Sequence, residues 1–189
     1  MSPTKPVIIV SGLPRSGTSL MMQMLQAGGI SIIYDNKRPA DEHNPYGYYE
    51  LEKVKRLEQD NSWIEKCTGK ALKILYHLLK YLPETTHYKI IFMQRNLKDV
   101  VISQDKMLES YSKAVLSDNA KVMTLFEEER KQIISWIENK SNMDVLYIEF
   151  SDVLADQKKV VLQLSDFLGS NLELQSMQAV INPAILSQA

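Results

Sequence analysis

The sequence is poor in cysteine, and this scarcity excludes two kinds of covalent or metal support. Cys67 is the only cysteine among the 189 residues, so these residues cannot form a disulfide with one another. The histidines His43, His77 and His87 are scattered singly, and no cysteine and histidine spacing is typical of a zinc site. We therefore expect a fold held together by its hydrophobic core, with no bound metal.

The sequence also lacks an excess of charge of either sign and a long hydrophobic run. There are 22 basic and 23 acidic residues, a net charge of −1, which argues against the polycationic surface of a nucleic-acid-binding protein. No apolar run reaches the roughly 18 residues of a membrane span, and the first apolar run is too short for a signal peptide. These absences predict a cytoplasmic protein with no membrane span and no nucleic-acid partner, in which any anion site is local.

What the sequence does contain is a short apolar run that leads through a glycine-bounded loop into a helix. Residues 7–10 are all β-branched and predict a buried strand, and from Ser19 onward apolar residues recur at helical spacing. Between them, Gly12 and Gly17 stand as in the phosphate-loop pattern GxxxxGK[ST], except that Thr18 replaces the lysine. Backbone N–H groups of such a loop, with the N-terminus of the following helix, bind an anion without any side chain.

The missing lysine bears on which anion the loop holds. A nucleoside triphosphatase needs that lysine for the outer phosphates and an acidic residue for magnesium. Here the cation of the loop is Arg15, three positions earlier. A P-loop nucleotide kinase or hydrolase stays open as an alternative, because Glu149 lies near the end of a predicted strand.

Residues 14–19, PRSGTS, resemble the 5′-phosphosulfate loop of the sulfotransferases, P-[KR]-S-G-T-[ST], in the arginine version found in tyrosylprotein sulfotransferases and many bacterial members. Those enzymes bind 3′-phosphoadenosine 5′-phosphosulfate (PAPS) and release 3′-phosphoadenosine 5′-phosphate (PAP). The resemblance implies a sulfotransferase that moves a sulfuryl group from PAPS to a hydroxyl or amine, with Arg15 stabilising the leaving phosphate oxygen. The cofactor-binding residues that it implies in this loop are Pro14, Arg15, Ser16, Gly17, Thr18 and Ser19.

A second stretch, residues 89–103, strengthens this resemblance. It predicts a buried strand that ends at Arg95 and a helix capped by Asn96. The sulfotransferase pattern R-x-x-x-D-x-x-x-S falls on Arg95, Asp99 and Ser103, and it implies that Arg95 and Ser103 bind the 3′-phosphate of the cofactor. An arginine at the carboxyl end of a parallel strand also offers a planar fork of donors where ligands of such sheets collect.

The residue that accepts the proton of the acceptor is less clearly marked. Residues 34–50 form a long segment rich in ionisable and aromatic side chains, which we interpret as the acceptor region. Asp35 falls near the position of the catalytic glutamate in the tyrosylprotein relatives, and Glu42 and Glu50 are equal candidates. His43 is a further rival, and the sequence does not rank these four.

The sequence departs from the family pattern in two places. The family strand K-T-H-x-P supplies a lysine and a base histidine; Lys73 matches the lysine, but Leu75 stands where the histidine belongs and His77 is displaced. A basic, glycine-rich segment that completes the 3′-phosphate clamp in cytosolic members is also not recognisable. A non-catalytic nucleotide-binding protein is therefore a second alternative. The acceptor, whether small molecule, glycan or peptide, and the oligomeric state are not predicted.

The order of elements predicts an α/β fold of one domain, residues 1–189, with three layers: a mainly parallel central sheet of the P-loop type flanked by helices. The longest helix is expected at residues 118–139, with Leu125 on its inner side and Glu129 facing out. A surface helix is expected at residues 50–60, and a strand or an extended segment at residues 30–34. The predicted strands cover residues 6–11, 70–75, 89–94 and 144–149.

Overall fold

The computed structural model describes residues 5–111, 118–169 and 171–181. In these ranges the central sheet has four strands in the order β2-β1-β3-β4, and every pairing is parallel. The predicted mainly parallel sheet is therefore confirmed. The strands are β1 (Val7–Gly12), β2 (Ala71–Lys73), β3 (Tyr88–Gln94) and β4 (Met143–Glu149).

Helices cover both faces of the sheet, as expected for three layers. The α-helices are α1 (Thr18–Ala27), α2 (Leu97–Ser110), α3 (Asn119–Glu138), α4 (Phe150–Ala155), α5 (Gln157–Leu168) and α6 (Leu174–Ala179). Short 3₁₀ helices span Glu52–Arg56, Ile64–Cys67 and Tyr76–Tyr81. Among the described residues, no helix has both the length and the apolar character needed to cross a membrane.

Two apolar cores lie on opposite faces of the sheet because side chains alternate along each strand. In β3, Ile90 and Phe92 pack into the core formed with α3 and the 3₁₀ helices, whereas Ile91 and Met93 pack into the core formed with α1, α4, α5 and α6. All four side chains are buried. Complete burial of each such side chain contributes roughly 1.5–3 kcal/mol, so β3 fastens both layers of helices to the sheet.

Three local expectations differ from the structure, whereas the extended segment expected at residues 30–34 makes one isolated bridge to the sheet, from Ile32 to Ala71. The expected helix at residues 50–60 is a 3₁₀ helix of five residues followed by a turn. In α3, Leu125 is 51% exposed rather than on the inner side. Glu129, expected to face outward, accepts a hydrogen bond from the Tyr76 hydroxyl.

The carboxyl ends of the four parallel strands meet at one edge of the sheet. The glycine-bounded loop follows β1, Lys73 is the last residue of β2, Arg95 follows β3, and Phe150 follows β4. Parallel strands place their ligand-binding residues at this edge. The fold thus brings together chemistry-bearing residues from four distant parts of the sequence.

Candidate active site

The loop between β1 and α1 is a tight turn with two residues in the left-handed region. Arg15 has φ 64° and Gly17 has φ 94°. The Ser16 hydroxyl donates to the carbonyl oxygen of Leu13 at 2.7 Å, and the Ser16 backbone N–H donates to the same oxygen at 3.3 Å. Left-handed residues in such turns gather successive backbone N–H groups into a concavity that suits an anion.

Close packing against Phe150 explains why position 17 is glycine. A Cβ atom at Gly17 would lie 2.5 Å from Cδ2 of Phe150, well inside van der Waals contact. The guanidinium group of Arg95 lies over the same ring, 4.6 Å from its centroid, a geometry typical of cation–π contacts. Phe150 therefore fixes the phosphate loop and Arg95 relative to each other.

Two arginines and a serine predicted from sequence meet at this loop. Arg15 Nε donates to Ser103 Oγ at 2.9 Å, and Arg95 Nη1 donates to the carbonyl oxygen of Arg15 at 3.1 Å. Burial lowers the pKa of both guanidinium groups, yet arginine stays protonated in proteins. Two partly desolvated cations attract an anion more strongly than cations in bulk water.

Lys73 adds a third cation, and the chain buries it almost completely. Its side chain is 5% exposed, and Nζ contacts Glu50 Oε1 at 3.3 Å, Ser19 Oγ at 3.5 Å and the carbonyl oxygen of Tyr48. Desolvation lowers the pKa of Lys73 to about 8, although the neighbouring Glu50 carboxylate opposes this shift. Lys73 is thus mostly charged near neutral pH and becomes neutral under mildly alkaline conditions.

The three candidate carboxylates lie in different environments. Glu50 lines the cavity beside the phosphate loop and contacts Arg38 Nη1 at 3.2 Å as well as Lys73. Glu42 also lines it, but its side chain is 77% exposed. Asp35 does not line the cavity; its carboxylate accepts hydrogen bonds from the backbone N–H groups of Lys37 and Glu52, which lower the pKa of Asp35. Asp35 thus closes a turn and caps a 3₁₀ helix.

The loop, the cations and the two lining glutamates enclose a cavity of about 570 Å³ at the carboxyl edge of the sheet. Ligand sites commonly measure about 300–1,000 Å³, so the cavity has the size of a small-ligand site. Among the residues that the structure describes, two acidic side chains, Glu42 and Glu50, face five basic ones in the cavity wall, and this excess gives the locally cationic site expected in a nearly neutral chain. The basic side chains are Arg15, Arg38, Lys73, Arg95 and Lys106.

Several wall residues were not predicted from sequence. Arg38 lies over the ring of Tyr48, 3.4 Å from its centroid, and both belong to the 34–50 segment that composition alone had marked as the acceptor region. Lys106 lies one helical turn after Ser103 on α2, so the helical period carried a signal for it. The displaced His77 is exposed and packs edge-on against Tyr76, outside the cavity wall.

The sequence matches the family model of the sulfotransferase domain over residues 5–188. The chain therefore belongs to the sulfotransferase domain family. An amine sulfotransferase of Oryctolagus cuniculus is 24% identical over 196 residues, covering 94% of this chain and 60% of the relative. Sulfotransferase 1A1 of Rattus norvegicus is 22% identical over 192 residues, covering 93% and 64%. The chain spans less than two thirds of the length of either relative.

Solved sulfotransferase structures share the fold. Mouse sulfotransferase SULT7A1, crystallised in complex with PAP, superposes with a TM-score of 0.60 at 19% identity, covering 98% of this chain and 64% of that one. The sulfotransferase domain of the Synechococcus PCC 7002 olefin synthase superposes with a TM-score of 0.54 at 16% identity, covering 99% and 85%. At such identities these superpositions establish the architecture, and the predicted P-loop-type α/β fold is confirmed.

Replacement of Gly17 by alanine tests the contact with Phe150. Gly29 is a matched control, because its φ of 91° is similar but a Cβ there would meet nothing within 4 Å. We expect Gly29→Ala to lower the free energy of unfolding by about 1–2 kcal/mol, the cost of the left-handed region. Gly17→Ala should lose about 1–3 kcal/mol more through overlap with the ring. Urea denaturation measures both, and equal losses would contradict the proposed packing.

The lowered pKa of Lys73 predicts a pH-dependent stability. This pKa is about 8 in the folded protein and about 10.4 in an unfolded chain, so the unfolded chain binds more protons between these values. The free energy of unfolding should therefore rise with pH from about 8 to about 10.4, relative to Lys73→Met, and the difference should be constant below pH 8. Urea titrations of both proteins across this range measure it. Parallel curves of unfolding free energy against pH for the wild type and Lys73→Met would contradict the prediction. The variant Lys80→Met, which changes an exposed lysine, is the control.

Proposed function

We propose that this chain is a PAPS-dependent sulfotransferase that transfers a sulfuryl group to a hydroxyl or amine and releases PAP. The observation that carries the proposal is the joining of the phosphate loop to Arg95 and Ser103 through Arg15. A loop with Thr18 in place of lysine, flanked by two guanidinium groups, suits a phosphosulfate better than a magnesium-bound triphosphate. Membership of the sulfotransferase family and the PAP complex of the mouse neighbour support the same reading.

The residues present fit this cofactor. The cavity combines an anion-binding loop, five basic side chains and the aromatic ring of Phe150, and Gly17 allows the close approach of the loop to that ring. PAPS, when bound, supplies an activated sulfuryl group on a phosphate that leaves. We assign the loop, with the Thr18 and Ser19 hydroxyls, to the 5′-phosphosulfate, and Arg95 and Ser103 to the 3′-phosphate.

Electrostatic stabilisation is expected to provide most of the catalysis. Sulfuryl transfer resembles phosphoryl transfer, in which charge accumulates on the equatorial and leaving oxygens, and positioned cations lower the barrier. Arg15 is held by Ser103 and by the loop itself, so its guanidinium group already lies beside the position that we assign to this charge. Lys73 is nearly buried, and a desolvated ammonium group stabilises a developing negative charge more than an exposed one.

Among the candidate bases, we favour Glu50. Its carboxylate lies beside Lys73 in the cavity wall, whereas Glu42 projects into solvent and Asp35 lies outside the wall. Lys73 and Arg38 both contact Oε1, so we assign Oε2 to accept the proton of the acceptor. This assignment replaces the family histidine, whose position Leu75 occupies. The relationship to an amine sulfotransferase supports an amine as one possible acceptor class.

Calorimetric titration with PAP in the absence of magnesium, with ATP titrated both without and with magnesium as the control, tests the cofactor. We expect PAP to bind and Arg95→Ala to weaken it about tenfold to a hundredfold, because a hydrogen bond to a charged group is worth about 1.5–3 kcal/mol. Arg56→Ala, in the 3₁₀ helix Glu52–Arg56, is the control and should bind PAP like the wild type. Preference for magnesium-ATP would instead favour a P-loop kinase or hydrolase.

Glu50→Gln tests the base, with sulfur-labelled PAPS as donor and 2-naphthol and 2-naphthylamine as probe acceptors. Turnover should fall about a hundredfold or more, the range for loss of a general base, while PAP affinity stays nearly unchanged. Glu42→Gln is the matched control and should retain turnover. Full turnover in Glu50→Gln, together with loss of turnover in His43→Asn, would assign the role of general base to His43 instead. Binding of PAP with no turnover in the wild type, for either acceptor, would favour a non-catalytic nucleotide-binding protein.

A further inference from the structure

Residues 41–48, which we call the strap, lie against the phosphate loop and hydrogen-bond to its side chains. Arg15 Nη2 donates to the carbonyl oxygen of His43 at 3.2 Å. Ser19 Oγ donates to the carbonyl oxygen of Tyr48 at 3.3 Å. Both donors belong to the loop that the proposed function assigns to the phosphosulfate, and in this structure strap carbonyl oxygens take their hydrogen bonds.

Ser19 shows that these contacts compete with a ligand. A serine hydroxyl has one proton to donate, and Ser19 donates it to Tyr48 while its oxygen accepts from Asn44 Nδ2 at 3.0 Å. Lys73 Nζ also donates to the carbonyl oxygen of Tyr48. Ser19 can therefore donate to a phosphosulfate only by giving up its hydrogen bond to the strap.

Asp41 fastens the strap to itself and to the end of α2. Its carboxylate accepts hydrogen bonds from the Tyr48 hydroxyl at 2.9 and 2.8 Å and from the backbone N–H groups of His43 and Asn44, each at 3.0 Å. It also accepts one from the hydroxyl of Tyr111, the residue that caps α2. Burial opposes ionisation, but these donors hold the pKa of Asp41 below its ordinary value. The closed strap is thus anchored by a charged carboxylate.

We propose that the strap is a gate: when it is closed, its carbonyl oxygens occupy two side-chain donors of the loop, Arg15 Nη2 and Ser19 Oγ, and the phosphosulfate end of the cofactor gains these donors only after it opens. The proposal rests on the proposed function, since it concerns the same anion site. His43, Asn44 and Tyr48 also line the cavity. Opening for the cofactor therefore also moves residues of the segment that we interpret as the acceptor region.

A closed gate lowers the apparent affinity for the cofactor. When only a fraction of molecules is open, the apparent dissociation constant equals the intrinsic constant divided by that fraction. A change that weakens the closed state without touching the ligand-binding groups must then tighten binding. Tighter binding is the opposite of the weaker binding that ordinary structural damage causes. The direction of the change in affinity therefore tests the gate.

Tyr111→Phe is the appropriate variant, because it removes the tether to Asp41 from a position outside the cavity wall. We expect PAP to bind about tenfold more tightly, the lower end of the effect of losing a hydrogen bond to a charged carboxylate from a predominantly closed state. Tyr81→Phe is the matched control, since it removes a surface hydroxyl bonded to Glu58, and its affinity should equal that of the wild type. Inorganic pyrophosphate serves as a second probe, and amide exchange of residues 41–48 should accelerate when either anion binds.

The outcomes separate the gate from the cofactor. Unchanged or weaker PAP binding by Tyr111→Phe, or slower amide exchange of the strap on binding, overturns the gate and leaves the sulfotransferase proposal intact. Tighter pyrophosphate binding by Tyr111→Phe, with no PAP binding by either protein, supports the gate and overturns the cofactor assignment. Failure of both anions to bind either protein overturns both proposals.

Discussion

The guanidinium group of Arg15 joins the segments that enclose the cavity. Its Nε donates to Ser103 on α2, and its Nη2 donates to the His43 carbonyl oxygen of the strap. The backbone carbonyl oxygen of Arg15 accepts a hydrogen bond from Arg95. Arginine suits this position because its donors are fixed in a planar fork and its charge persists after partial burial. A lysine here would offer a single ammonium group, which cannot reach both partners in the same geometry.

The sheet determines where this junction forms. Each strand is followed by, or ends with, a residue or loop of the site, and the parallel order of the strands places these groups at one edge of the sheet. The side chains of β3, an inner strand, are buried on both faces and hold Arg95 at the carboxyl edge of the sheet. The cationic site is thus built on a well-buried strand, whereas the strap that covers it is held by side-chain hydrogen bonds.

The sequence predicted the sheet, and it singled out three residues that the structure brings together, because both depend on local patterns. Continuous apolar runs identified the strands, and fixed spacing identified Arg15, Arg95 and Ser103. The acceptor side depends on contacts between distant residues, such as Glu50 with Lys73, and no local pattern encodes them. Asp35 illustrates the limit: its sequence position suggested a base, but its carboxylate is used by backbone N–H groups of the chain itself.

The packing of Phe150 against Gly17 couples two positions that lie far apart in the sequence. Any side chain at position 17 would require a smaller residue at position 150. That smaller residue would remove the aromatic surface beneath Arg95, so the compensating change would create a second defect. Stepwise exchange at either position therefore passes through impaired intermediates, and this pair should resist evolutionary drift even where the surrounding loop diverges.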